Sequence, residues 1–126
     1  MNEKMNIQWF PGHMKKAERM IADSMKLVDA VCEIIDARIP ASSRNPDIDA
    51  LAAGRPRMII MNRIDLASPE ITALWRAHFK SAGLAVLETD SKSGRGVQNF
   101  AAAVRELLSG RLAALAAKGQ GTRPLR

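Results

Sequence analysis

The sequence predicts an α/β fold in which helices flank a three-stranded parallel sheet. Two observations support this prediction: three short apolar runs alternate with segments of helical periodicity, and each run ends in a polar cluster. Parallel neighbours need a covering crossover helix, so the alternation favours one layered domain. The chain has 126 residues, 47% hydrophobic and 25% charged, which is enough for a single globular core.

The first part of the chain predicts two helices around one strand. Residues 14–28 place apolar side chains at steps of three and four, and Pro11-Gly12 begins this helix. Ala30–Ile35 is a short β-branched run that predicts a buried strand followed by a loop. A short helix is expected after Asn45-Pro46.

The second apolar run, Met58–Met61, predicts a strand that stops at Asn62. Ser68 and Pro69 then provide a cap and a first-turn proline for a helix that ends at Gly83. We expect one face of this helix to pack in the core; that face carries Ile71, Leu74, Trp75, His78 and Phe79.

The third strand is predicted at Leu84–Leu87 and leads into the polar stretch 88–96. One last helix is expected from Val97 to Leu115; its apolar side carries Val97, Phe100, Ala101, Val104, Leu107, Leu108, Leu112 and Leu115. The segment Gly119–Arg126 has no periodicity and is typical of a linker. The polar clusters at 36–38, 62–65 and 89–96 follow the three strands, which predicts a binding site at one edge of the sheet.

The excess positive charge lies near the two ends of the chain. The net charge is +6: residues 1–20 and 105–126 are basic, and residues 21–104 are balanced. This indicates either a polyanion such as nucleic acid at the termini or solvated helix ends. Cys32 is the one cysteine, which excludes an internal disulfide, and no metal site is expected. No membrane span or signal peptide is predicted, so the expected location is the cytoplasm.

The pattern after the second strand has a specific chemical interpretation. Asn62-Arg63-Ile64-Asp65 resembles the Asn-Lys-x-Asp motif that recognises guanine, with arginine in place of lysine. Guanine presents N1–H and N2–H₂ as adjacent donors, so one carboxylate, that of Asp65, can accept both. Asn62 can join the neighbouring loops and reach the base, and the stem of Arg63 can cover the ring. The alternative is a polar turn after a buried strand.

The stretch after the third strand resembles the Ser-Ala-Lys loop of the same nucleotide-binding proteins. In that loop a main-chain N–H donates to the guanine carbonyl oxygen O6, and the lysine stem lies on the base. The matching groups are the Ser91 amide and Lys92, whereas Asp90 and Ser91 depart from the pattern. The alternative is a glycine-rich entry to the next helix.

Two further segments, Trp9–Ala17 and Asp36–Pro46, complete a resemblance to the circularly permuted GTPases of ribosome assembly. The resemblance covers essentially the whole chain and implies a partial Ras-like P-loop GTPase fold. It implies that residues 1–118 form the guanine-recognition half and residues 119–126 a linker towards the phosphate-binding half. It also implies a role for His13 in hydrolysis in an intact protein; a polar residue on a surface helix is the alternative.

Two motifs of the family are absent from this sequence. It contains no Gly-x-x-x-x-Gly-Lys-Ser/Thr phosphate loop and no Asp-x-x-Gly switch. We therefore expect the chain to be truncated before the phosphate loop and not to hydrolyse GTP alone. The resemblance implies GTP or GDP as ligand, with magnesium only in an intact protein.

The implied function is that of a GTP-binding protein in large ribosomal subunit assembly. Its implied partners are the rRNA and ribosomal proteins of the subunit precursor, with no membrane partner. The alternative, from a different class, is a non-enzymatic RNA- or ribosome-binding module on the same fold. The strand at Ala30–Ile35 is also expected to leave a free edge, which predicts self-association of the isolated chain.

Overall fold

The computed structural model describes residues 11–119 and 125–126, with the side chains of all these except 11–14 and 115. Three strands, β1 (Val31–Asp36), β2 (Arg57–Asn62) and β3 (Ala85–Glu88), form a parallel sheet in the order β1-β2-β3. The predicted fold class is confirmed, and every strand boundary lies within one residue of its prediction. All three carboxyl ends therefore meet at one edge of the sheet.

In the part of the chain that the structure describes, five α-helices accompany the sheet: α1 (Pro11–Met25), α2 (Ile48–Leu51), α3 (Pro69–Ser81), α4 (Phe100–Leu107) and α5 (Ser109–Ala117). The predicted start of α3 is confirmed, because the Ser68 hydroxyl accepts a hydrogen bond from the Ile71 N–H at 3.4 Å and Pro69 occupies the first turn. The proline has no N–H that would need a partner there.

The prediction of one helix from Val97 to Leu115 is wrong. Val97–Asn99 forms a separate 3₁₀ turn, and the helix that follows is interrupted at Leu108, whose φ and ψ are −101° and 10°. The apolar period could not show this interruption, because Leu108 remains buried at 2% exposure and keeps its place in the pattern. Val97 and Phe100, expected on the apolar side, are exposed.

The main core lies between the sheet and α3. It is formed by one cluster of buried residues from β1, β2 and α3 with their adjoining turns: Ile35, Ala37, Ile59, Met61, Phe79 and Leu84. On the other face α4 packs against β2 and β3, where Met58 is fully buried. Ile34, also on that face, is 68% exposed.

The predicted core face of α3 is only partly correct. Phe79 is buried and Trp75 is half-buried, but Ile71, Leu74 and His78 are exposed. Thr72 is buried in their place, seven residues before Phe79 and therefore on the same face. The interpretation of His78 as a packing residue is thus wrong; its ring meets that of Trp75 edge to face at 5.4 Å.

Asp29 joins the end of the chain to the beginning of β1. The Arg126 carbonyl accepts hydrogen bonds from the Asp29 and Ala30 N–H groups at 2.7 and 3.2 Å. The Arg126 N–H donates to the buried Asp29 carboxylate at 2.9 Å, and Arg111 of α5 pairs with the same carboxylate at 3.5 Å. No helix within the described residues is long and apolar enough to span a membrane.

Candidate functional site

The loops after β2 and β3 enclose a cavity of about 390 Å³ at the carboxyl edge of the sheet. All five residues predicted to bind guanine line it: Asn62, Arg63, Asp65, Ser91 and Lys92. Asp65 is exposed. Parallel pairing of β2 with β3 is what brings these two loops together.

Asn62 connects the two loops through a single oxygen atom. Its side-chain Oδ1 accepts hydrogen bonds from the Thr89 hydroxyl at 3.0 Å, the Ser91 N–H at 2.9 Å and the Ser91 hydroxyl at 2.9 Å. The Ser91 amide, which the resemblance assigns to the base carbonyl, is therefore engaged with Asn62 in this structure. Asn62 acts as the structural link between the ends of β2 and β3.

Arg63 has a left-handed backbone conformation, with φ 62° and ψ 37°. Among the described residues it is the one non-glycine residue with a positive φ. This conformation costs a non-glycine residue about 1–2 kcal/mol, and it begins the 3₁₀ turn Ile64–Leu66 that carries Asp65. The Ile64 N–H also donates to the Thr89 carbonyl at 3.3 Å, a second link between the two loops.

The loop after β3 is closed by its own hydrogen bonds. The Asp90 N–H donates to the Arg95 carbonyl at 2.8 Å, and the Gly94 N–H donates to the Asp90 carbonyl at 2.9 Å. The Asp90 carboxylate accepts from the Lys92 N–H at 3.2 Å. A hydrogen bond with Ser93 is the main cause that lowers the pKa of Asp90, so this carboxylate is charged and occupied within its loop.

The third polar cluster, after β1, lies beside this cavity. Arg38 holds the Asp36 carboxylate through both oxygens, with its shortest distance 2.7 Å, and lowers the pKa of Asp36 to about 2. The same pair raises the pKa of Arg38, to which the charge of Asp65 adds a smaller contribution. The negative charge of Asp65 therefore has a positive neighbour on the adjacent loop.

Arg44 explains why the segment after β1 keeps its shape. Its guanidinium pairs with Glu33 at 2.8 Å and with Asp49 at 3.0 Å, and it lies 5.8 Å from the centre of the Phe79 ring. These two carboxylates and the Phe79 ring hold the Arg44 side chain in one position. Because Arg44 lies between β1 and α2, these contacts order the loop that joins them. This holds the Asp36–Pro46 segment against the core.

The cavity and its hydrogen bonds include residues that the sequence patterns do not indicate. Leu66 and Asp90 also line the cavity, and Thr89 supplies a hydrogen bond to Asn62. Thr89 could have been found, because β2 and β3 pair Met61 with Glu88. Asn62 and Thr89 are the next residues along each strand. His13 lies in α1, but its side chain is outside the described part of the chain.

The three-stranded parallel sheet with its flanking helices and strand-end cavity resembles part of a solved GTPase structure. A solved structure of GNP-bound YlqF from T. maritima has the same fold, with a TM-score of 0.50 and 33% identity; the match covers 60% of this chain and 31% of that one. No family model matches the chain.

The relatives found by sequence comparison are also GTPases. Ribosome biogenesis GTPase A of Priestia megaterium is 43% identical over 115 residues, 91% of this chain and 40% of that protein. Mitochondrial ribosome-associated GTPase 1 of Mus musculus is 35% identical, over 80% of this chain and 31% of that protein. The resemblance to the circularly permuted ribosome-assembly GTPases is confirmed: the chain is a homologue of ribosome biogenesis GTPase A and spans about two-fifths of its length.

Proposed function

We propose that this chain binds guanine nucleotides through the base, at the cavity between the loops after β2 and β3. The observation that supports this most is the convergence of Asn62, Arg63, Asp65, Ser91 and Lys92 on one cavity. Asp65 accepts the N1–H and N2–H₂ donors, and Ser91 supplies a donor to the base carbonyl. The stems of Arg63 and Lys92 cover the ring.

The proposal is tested by titrating the chain with GDP, GTP and ATP. We expect weak binding of GDP and GTP with similar affinities, because the proposed contacts are to the base and the sequence has no phosphate loop. ATP should bind more weakly than either. Tight ATP binding would contradict the assignment of Asp65, and binding of ribosomal RNA without any preference for guanine would favour the alternative of an RNA-binding module.

We further propose that the protein acts in assembly of the large ribosomal subunit, in the cytoplasm. The names of the relatives support this role, and the precursor's rRNA and ribosomal proteins would be its partners.

In a protein that also binds the γ-phosphate, His13 would orient the attacking water. Among the described residues, no group of three or more His, Cys, Asp and Glu could hold a metal ion.

We also propose that the isolated chain self-associates through β1. Within residues 11–119 and 125–126 this strand pairs with β2 alone, and Ile34 on it is exposed. At the end of its other edge the Asp36 N–H donates to the Ser43 hydroxyl at 3.0 Å. Such an edge can pair with another copy. In addition, the apolar groove on that face includes Ile34, Ile60, Leu87 and Phe100.

Sedimentation across a concentration series tests this contact. The chain should show concentration-dependent association, and Ile34→Lys should shift it towards the monomer because a charge would enter the contact. Leu74→Lys is the matched control, since Leu74 is 67% exposed but lies on α3, and it should leave the association unchanged. A monomer at high concentration that unfolds cooperatively would contradict this proposal.

A further inference from the structure

The turn between α1 and β1 lies among basic side chains that come from three separate parts of the chain. Lys26 is exposed in the turn itself. Arg55, from the segment before β2, donates its Nε–H to the Met25 carbonyl at 2.6 Å. Arg111 of α5 pairs with the Asp29 carboxylate at 3.5 Å and donates to the Asp29 carbonyl at 3.4 Å. Lys26, Arg55 and Arg111 therefore form one cluster, which we call the basic patch.

Arg55 keeps its positive charge without a carboxylate partner. Among the described residues, its one side-chain hydrogen bond goes to a neutral main-chain carbonyl, and its two terminal nitrogens have no partner. That bond holds the planar guanidinium in place, so little further freedom is lost when a second acceptor binds. Lys26 likewise makes no ion pair within residues 11–119 and 125–126. Two of the three charges in the basic patch are therefore available to an anion.

Two helices extend the basic patch across the surface. Lys15 and Arg19 of α1 precede Lys26 by eleven and seven residues, spacings that place all three on one side of the helix. Lys118 follows Arg111 of α5 by the same seven residues. All five side chains are exposed. Fewer exposed carboxylates accompany them on α1, namely Glu18 and Asp23.

The basic patch lies at the amino edge of the sheet, opposite the cavity. Asp29 precedes β1 and Arg55 precedes β2, whereas the cavity is formed by the loops that follow β2 and β3. The length of β2 between these two edges is about 20 Å. A ligand on the basic patch and a nucleotide in the cavity can therefore bind at the same time.

We propose that the basic patch, with the cations that extend it along α1 and α5, binds the phosphate backbone of ribosomal RNA. This inference rests on the proposed role in ribosome assembly and not on guanine binding. Phosphate oxygens accept hydrogen bonds from arginine and lysine, and each such contact releases counterions, so the affinity depends on charge and salt rather than on base sequence. The terminal nitrogens of Arg55 can donate to two oxygens of one phosphate.

Fluorescence anisotropy with a labelled RNA duplex of about 20 base pairs, measured at several KCl concentrations, tests this surface. We expect Lys26→Gln and Arg55→Gln each to weaken binding by about fivefold to tenfold at about 0.1 M salt. Each should also reduce the slope of log K against log salt by about 0.9, the value for one phosphate contact. The Lys26 side chain makes no hydrogen bond within the described part of the chain, so its substitution keeps the test independent of folding.

Arg95→Gln is the matched control, since it removes one positive charge from an exposed side chain in the loop after β3, at the opposite edge of the sheet. It should change the affinity and the slope much less. Excess guanosine 5′-monophosphate should not displace the RNA.

Three results would overturn the inference: equal weakening in Lys26→Gln and Arg95→Gln, displacement of the RNA by the nucleotide, or tighter binding of poly-glutamate than of RNA. If the unchanged chain binds no RNA, the proposed rRNA partner fails together with this surface. Guanine binding is tested separately by the nucleotide titrations.

Discussion

Gly96→Ala should cause a large loss of stability. Gly96 has φ 82°, and an added Cβ would lie far inside van der Waals contact with the Glu88 carbonyl oxygen at the end of β3. The left-handed backbone costs alanine about 1–2 kcal/mol, and forcing main chain apart adds about 1–3 kcal/mol. Against a total stability of about 5–15 kcal/mol, this is a substantial fraction.

Urea denaturation of Gly96→Ala and Gly94→Ala separates the two causes. Gly94 has a similar φ of 86° but no atom within 4 Å of its added Cβ, so its substitution carries the backbone cost alone. We expect Gly96→Ala to lower the free energy of unfolding by roughly twice as much or more. Equal losses in the two variants would show that the close approach to Glu88 is not important for the fold.

Asp65→Asn should change which base the chain prefers. The carboxylate accepts two guanine donors, whereas an amide offers a donor where xanthine carries its 2-oxo group. Hydrogen bonds to a charged group contribute about 1.5–3 kcal/mol, so the ratio of guanine to xanthine affinity should fall by about tenfold to a hundredfold. Titrations with guanosine and xanthosine monophosphates measure this ratio.

Asp90→Asn is the matched control for this change. Asp90 lines the same cavity, but its carboxylate is occupied by the Lys92 N–H and by Ser93. Its substitution should leave the preference for guanine intact. An unchanged preference in Asp65→Asn, or the same shift in Asp90→Asn, would contradict the role of Asp65.

The sheet and its binding edge could be predicted because both depend on local patterns. Continuous apolar runs such as Met58–Met61 predict buried parallel strands, and the abrupt change at Asn62 marks where β2 ends. Strands that follow one another along the chain are usually neighbours in a sheet, which predicts the order β1-β2-β3. The residues that follow β2 and β3 consequently meet at one cavity.

Features that depend on tertiary contacts could not be predicted in this way. Periodicity shows that α3 has an apolar side but not how far the helix is rotated. It therefore predicts a core position for His78, whereas Thr72 is the buried residue. The triple hydrogen bond at Asn62 depends on side chains 27 and 29 residues away. The left-handed Arg63 likewise has no signal in the residue type, which rarely adopts that conformation.

The central claim, that the cavity after β2 and β3 receives a guanine base, is tested most directly by mapping amide chemical shifts. Guanosine 5′-monophosphate is added to the ¹⁵N-labelled chain, and each main-chain N–H is followed. We predict that the shifts concentrate at residues 62–65 and 91–92 and that adenosine 5′-monophosphate produces much smaller ones. Shifts confined to the outer groove of α3, around Leu74 and Trp75, or equal shifts with both nucleotides, would contradict it.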